Sequence, residues 1–297
     1  MTTTANHLRA PMARLLHFVL NTECNAWDLK PMQDSPGVCR FCYRAKERIV
    51  TTPKKIEELL RIVRQQSDIV RVVFTGGDPL MPRDSHVEFA VQAAKKLGFE
   101  VNLHTNGLLL SEKFSSISRW VDIFTLAIDG ADPDTADWER GIGYFDRFLG
   151  NLQLLMREGK TLAFNSFVSP HNFPHLGEVG KMIAGIAEQS RVEYWLISQY
   201  RPIARDTAKK REIYTFSSEQ FRFAIERLVT RFPRLNVYSQ PLREDGVYPM
   251  RMWLLADGLL TMDTGEPTLG RNVIVGSCFE RGFAELYKKT LEMSWPA

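Results

Sequence analysis

IVRVVFTGGDPL, residues 69–80, is an apolar run that stops on paired glycines and an Asp-Pro step. Its content of Val, Ile and Phe is that of a buried parallel strand. Gly76 and Gly77 permit a tight turn and a close approach of backbone to a ligand. Their N–H and C=O groups suit a small zwitterion. Pro79 fixes the exit of the turn, and Asp78 supplies a carboxylate beside it. The pattern repeats on both sides. Apolar runs at LLHFVLN (15–21), VNLHTN (101–106), VDIFTLAID (121–129), TLAFNSFV (161–168) and VEYWLISQY (192–200) alternate with segments of helical period at 53–66, 85–98, 111–120, 139–159 and 175–189. Six strands alternating with helices predict an α/β fold with a parallel sheet and right-handed crossovers.

Ligands of such folds bind at the carboxyl ends of the strands. The first strand is followed by Cys24, and the second ends in the GGDP turn. The third ends in His104-Thr105-Asn106-Gly107 and the fourth in Asp129-Gly130. The fifth carries Asn165, and the sixth ends in Gln199-Tyr200-Arg201. Turn residues populate any loop, but here every strand delivers a polar group or a glycine turn to one rim.

Three of the four cysteines, Cys24, Cys39 and Cys42, form a Cys-x14-Cys-x2-Cys array after the first strand. The close pair can grip one centre locally, and the long gap is a loop that returns Cys24 to it. Three thiolates leave a tetrahedral site one ligand short, which is where a substrate or cofactor can bind. The cysteines alone admit an iron–sulfur cluster, a zinc site completed by Cys278, His17 or His104, or unrelated buried cysteines. Cys278 reads as a core residue. Pro170 and Pro174 make the His171–His175 pair part of a loop rather than a helical metal motif.

Composition bounds the rest. The chain has 297 residues, 44% hydrophobic and 25% charged, a length common for an α/β barrel. A net charge of +3, from 38 basic and 35 acidic residues, argues against a nucleic-acid coat. Sparse, clustered cysteines read as metal or redox ligands in a reducing compartment. No stretch approaches the ~20 apolar residues of a membrane span, and LLHFVL is too short for a signal segment. The expected location is the cytoplasm.

Cys24, Cys39, Cys42 and the GGDP turn one strand later resemble the radical S-adenosylmethionine enzymes, over roughly residues 14–200. The resemblance implies a partial (β/α)6 TIM-type barrel. It implies the three cysteines as ligands of a [4Fe–4S] cluster, with Gly76-Gly77-Asp78-Pro79 holding the methionyl amino group of S-adenosylmethionine. Phe41, before the last cysteine, matches the aromatic near adenine. Asn106, Asp129 and Asn165 match positions that contact ribose and the methionine carboxylate. The implied chemistry is reductive cleavage to a 5′-deoxyadenosyl radical that takes hydrogen from a substrate, with flavodoxin or ferredoxin as electron donor. Two departures stand out. The first cysteine gap is fourteen residues, as in some 7-carboxy-7-deazaguanine synthases, and Asp78 replaces the family's Glu.

The substrate expectation is a small polar molecule, nucleoside-like or anionic, with His104, Gln199 and Arg201 as its contacts. Modification of a peptide side chain is the enzymatic alternative, and a zinc-stabilised binding protein the non-catalytic one. The segment 201–214 is basic and reads as an exposed loop, and 217–232 as a helix. NVYSQ (236–240) and PMRMWLLADGLLTMD (249–263) predict a small antiparallel α+β extension, residues 201–297, with a turn at Asp257-Gly258, packing on or capping the barrel. This part is weakly similar to viperin-like enzymes.

Overall fold

The structure is a computed structural model that describes residues 14–42, 49, 51–81, 86–200, 208–240, 252–262 and 273–294. In chain order the elements are β1 (Leu15–Asn21), α1 (Pro53–Gln66), β2 (Arg71–Gly76), α2 (Val87–Lys96), β3 (Glu100–Thr105), α3 (Leu110–Ile117), β4 (Ile123–Ala127), α4 (Pro133–Arg140), α5 (Tyr144–Arg157), β5 (Thr161–Val168), α6 (Leu176–Ala187), β6 (Val192–Gln199), α7 (Ala208–Tyr214), α8 (Ser218–Arg231), β7 (Val237–Gln240), β8 (Met252–Leu255), β9 (Leu259–Met262), β10 (Val273–Ser277), α9 (Cys278–Arg281) and α10 (Phe283–Ser294). Helix starts follow cap chemistry. Thr52 accepts from the Lys55 N–H before Pro53, and Asp132 from the Thr135 N–H before Pro133.

One ten-stranded sheet runs in the order β10-β9-β8-β1-β2-β3-β4-β5-β6-β7. Strands β1 to β6 are parallel, in register with the α/β expectation. The sheet curls without closing. In a flat sheet β2 and β6 would lie about 19 Å apart, yet Arg71 of β2 donates to Glu193 of β6 at 3.2 Å while pairing with Glu100 of β3. Asn102 of β3 likewise reaches Tyr194 of β6 at 2.8 Å. This is the curvature of a partial barrel.

The two faces of the sheet differ. Leu16, Phe18, Val72, Phe74, Val101, Leu103, Phe124, Leu126, Leu162, Phe164, Trp195 and Ile197 face the helices and form the core. The alternate positions turn inward, and they carry His17, Asn102, His104, Thr125, Asn165 and Tyr194. The inner face is thus mixed: it carries these polar groups among apolar ones such as Val73, Ile123, Ala163 and Leu196.

Three expectations are corrected. The helix expected over 139–159 is two, broken at Gly141-Ile142-Gly143, where Gly141 and Gly143 both take positive φ. The run 236–240 is not part of an antiparallel appendage: β7 pairs in parallel with β6, and β8 in parallel with β1, so the C-terminal part extends the barrel sheet at both edges. Among the described residues only β8-β9-β10 pair antiparallel, with the expected turn at Asp257-Gly258. Within the basic stretch 201–214, residues 208–214 form α7, and 201–207 lie outside the described residues.

Candidate active site

The segment that carries Cys24 lies directly on the GGDP turn. Gly77 N donates to Asn21 O at 3.0 Å, Asp78 N to Glu23 O at 2.7 Å, and the Asn21 amide to Asp78 O at 2.8 Å. A Cβ on Gly77 would sit 2.0 Å from Glu23 O, and one on Gly76, whose φ is +153°, 2.2 Å from Asn21 O. Backbone crowding by the cysteine segment therefore demands both glycines. The N–H of Gly77, one of the glycine groups expected to suit a zwitterion, donates inside the protein, to Asn21 O.

The Asp78 carboxylate is buried and accepts from Leu80 N (2.9 Å), Thr105 Oγ1 (2.8 Å) and Asn106 N (2.7 Å), which ties the β2 turn to the end of β3. Burial pushes its pKa up to about 6 despite these donors. Asn106 in turn reaches Cys24 Sγ at 3.4 Å and Asn25 Oδ1 at 3.1 Å.

The insert between Cys24 and Cys39 is a strap along the end of α4. Ile142 N donates to Lys30 O (2.8 Å), Ser35 Oγ to Trp138 O (2.8 Å), and Cys39 N to Glu139 O (2.8 Å). A Cβ on Gly141, at φ +100°, would lie 2.7 Å from Leu29 Cβ, so the helix must break there for the strap to pass. Cys39 itself adopts φ +47°, uncommon outside glycine. Its carbonyl accepts from Cys42 N at 2.9 Å.

Arg140, the last residue of α4, organises the opposite side of the rim. Its Nε meets Asp129 Oδ2 at 2.6 Å, and its Nη1 lies 3.9 Å from Cys39 Sγ. The guanidinium sits 5.2 Å over the Phe41 ring. Asp129 Oδ1 accepts from Phe167 N at 2.8 Å, so both carboxylate oxygens are engaged. Phe41 stacks on Phe167 with centroids 3.8 Å apart, and Tyr214 meets both rings edge-on. Burial pushes the Cys24 thiol up to about 11 and the Cys39 thiol up to about 12, and Cys42 adds repulsion to each. Among the described residues no three His, Cys, Asp or Glu side chains are gathered tightly enough to hold a single metal ion.

Among the described residues, four buried polar atoms at this end have no hydrogen-bond partner: Asn21 Oδ1, Asn165 Oδ1, Glu139 Oε2 and the Tyr214 hydroxyl. Such atoms are rare in a folded interior and call for a partner, whether water or a polar ligand. Glu139 is fully buried, bonds Ser169 through its other oxygen, and is pushed up to about 8 by burial.

The model of the Radical SAM superfamily matches residues 31–183, just over half of the chain. The chain belongs to the radical SAM superfamily. Radical SAM chemistry rests on S-adenosylmethionine and an iron–sulfur cluster, and the matched segment includes Cys39, Cys42 and the GGDP turn. An uncharacterised protein of Archaeoglobus fulgidus is 26% identical over 163 residues, 53% of this chain and 38% of that protein. The AdoMet-dependent heme synthase of Oleidesulfovibrio alaskensis is 23% identical over 180 residues, 58% of this chain and 43% of its own length. SuiB of Streptococcus suis, in a structure with S-adenosylmethionine, has the same fold: TM-score 0.70 at 16% identity, over 92% of this chain and 65% of SuiB. SuiB bound to its precursor peptide SuiA gives 0.71 at 15% identity, over 95% of this chain and 66% of SuiB. The chain spans about two fifths of the two relatives and just under two thirds of SuiB. Membership in an enzyme superfamily displaces the non-catalytic zinc reading.

The residues expected from the sequence fall in different places. Cys24, Cys39, Phe41, Asp78, Asn106 and Asp129 gather at the carboxyl rim, with Asn165 on the inner face. His104 lies deeper, with Nε2 3.1 Å from the Tyr194 hydroxyl. Gln199 is buried and donates to Phe216 O at 3.0 Å, which anchors the approach to α8 rather than facing the lumen. Arg201 lies outside the described residues. Cys278 packs in the core as expected. Arg140, Glu139 and Tyr194 escaped the sequence reading. Asn102 and His104 at i and i+2 in VNLHT were the available signal that one strand face is polar. Among the described residues no helix is long and apolar enough to cross a membrane.

Proposed function

We propose that Cys24, Cys39 and Cys42 hold a [4Fe–4S] cluster with one iron left for S-adenosylmethionine, and that the enzyme acts on a small polar substrate in the barrel lumen. When bound, the cluster supplies one electron that cleaves the sulfonium and yields the 5′-deoxyadenosyl radical that takes a hydrogen atom from the substrate. What supports this reading is that Cys24, through Asn106, and Cys39, through Arg140, lie at the same strand-end rim as the GGDP turn, with the Cys42 N–H bonded to the Cys39 carbonyl.

The chain's own residues have definable parts. Asn106 directs an N–H at the Cys24 sulfur, and Arg140 sets positive charge beside Cys39; both favour thiolates, the form that binds iron. Asp78 braces the turn under Cys24 through Thr105 and Asn106, so the shorter carboxylate acts within the protein. Phe41 and Phe167 offer an apolar wall for adenine. Asn165 Oδ1 is a ready acceptor for a ribose hydroxyl. Asp129 acts through Arg140 rather than on the cofactor directly. Buried aromatic groups around Cys39 exclude water from the reaction.

A second reading, modification of a peptide side chain, draws on SuiB, which carries a precursor peptide on the same fold. The further assignments are a core at 14–200, an extension at 201–297, a cytoplasmic location and a flavodoxin or ferredoxin as donor.

Anaerobic reconstitution with iron and sulfide tests the function. The expected result is a brown protein that forms 5′-deoxyadenosine from S-adenosylmethionine under dithionite. Cys39→Ala should abolish colour and cleavage. A colourless protein that keeps one tight zinc, or cleavage surviving Cys39→Ala, refutes the proposal.

A further inference from the structure

The lumen below the rim is crossed by a side-chain network with no part in the chemistry above. Tyr194 of β6 extends to the opposite wall, where its hydroxyl lies 2.8 Å from Asn102 Nδ2, 3.0 Å from Thr125 Oγ1 and 3.1 Å from His104 Nε2. Thr125 also donates to Asn102 Oδ1 at 2.8 Å. Thr125 and Tyr194 lie on either side of Ala163, their common partner in the sheet, so the network sits at one level of the barrel. One layer lower, Arg71 with Glu100 and Glu193 closes the amino-terminal end. The lumen therefore has a floor.

Its position limits the substrate. Thr125 lies four residues below Asp129, about 13 Å along the strand at ~3.3 Å per residue. That strand length sets an upper bound of about one ring and a short substituent on what could lie between rim and floor. Its chemistry limits the substrate further. The four floor groups are hydroxyl, amide and imidazole. The neighbouring charges are matched, Arg71 by two carboxylates below and Asp129 by Arg140 above. Among the described residues, a carboxylate or phosphate driven to this depth would lose its hydration with no unmatched lysine or arginine to meet it. A neutral amide or the edge of a heterocycle would exchange hydrogen bonds with Tyr194 and His104.

We propose that the Tyr194 hydroxyl, held by Asn102, His104 and Thr125, is the specificity-determining floor of the lumen and selects an uncharged hydrogen-bonding group on a small substrate. The radical SAM reading enters only in placing the substrate in this lumen.

Nicotinamide and nicotinate test it, since the two share a ring and differ in a neutral amide against a carboxylate. Their dissociation constants would be measured by ligand-observed NMR on the reconstituted protein loaded with S-adenosylmethionine. Nicotinamide should bind at least about tenfold more tightly, as a built hydrogen-bonding site discriminates. Tyr194→Phe should bring the ratio near one, with an unchanged circular dichroism spectrum as the check on folding. Thr125→Val, which keeps the shape and loosens the hydroxyl, should reduce the ratio to a few-fold. Equal binding, tighter nicotinate, no binding of either, or a preference that survives Tyr194→Phe would overturn the proposal. A wild-type protein that shows the preference but never cleaves S-adenosylmethionine would refute the radical SAM reading alone.

Discussion

Asp129 has no exposed side-chain surface, and one guanidinium, that of Arg140, supports its charge. Removing one partner of a buried pair strands the other, which costs about 3–5 kcal/mol. Arg140→Met should destabilise the protein by that amount in urea unfolding, and adding Asp129→Asn should restore more than half of it. A single variant within about 1 kcal/mol of wild type would show that water reaches this pair. Asp78 makes a different prediction. Its pKa rises from 3.8 to about 6 on folding because burial outweighs its donors. Between those values the folded state holds the proton better, so stability falls as pH rises from about 4 to 6 and is level above. Asp78→Asn removes this slope, although it lowers stability throughout by losing acceptors. The difference between wild type and variant, from urea midpoints at pH 4 to 7, should narrow as pH rises. A constant difference would contradict the buried carboxylate.

Among the elements, the turn after β2 and the strap before Cys39 are each fitted to a glycine. In Gly77→Ala the new methyl meets Glu23 O at 2.0 Å, a backbone atom that cannot step aside without moving Cys24. Overpacking of this kind costs ~1–3 kcal/mol or more. The expected outcome is a folded protein with a lowered melting temperature and sharply reduced iron after reconstitution; full iron retention would mean the cysteine segment moves freely. The sequence made the turn legible because glycine pairs have few other uses at a strand end. It made the strand–helix alternation legible because period is local. The break at Gly141 escaped because the strap that crowds it at Leu29 is more than a hundred residues away in the chain. Tyr194 escaped for the same reason: its partners, Asn102, His104 and Thr125, come from two other strands, and only the curl of the sheet brings them together. The Phe41 match and the cysteines were readable since they lie within one short segment.

At the scale of the whole molecule, the C-terminal part is bound to the strand that delivers Cys24. β1 lies between β2 and β8, and the Ala256 N–H donates to Val19 O at 3.0 Å. On the outer side α10 holds the end of α1: Ala284 N donates to Gln66 Oε1 at 3.0 Å, and the Tyr287 hydroxyl to Asp68 at 2.7 Å. Trp253 stacks on His17 with centroids 4.5 Å apart, so β8 also completes the inner wall. A chain ending at residue 200 would lose all of these. It would leave β1 and β6 as bare parallel edges, which pair with other chains. We therefore expect residues 14–200 alone to aggregate on size-exclusion chromatography and to retain less than about a tenth of the iron held by the full chain after reconstitution, even though they contain every proposed ligand. Loss of the edge neighbour should act on β1 before it acts on the distant β4 and β5, so hydrogen exchange in destabilised full-length variants such as Trp253→Ala should rise first in residues 15–21. A monomeric 14–200 fragment with full iron content would show instead that the six-stranded half is a domain in its own right and that the extension only caps it.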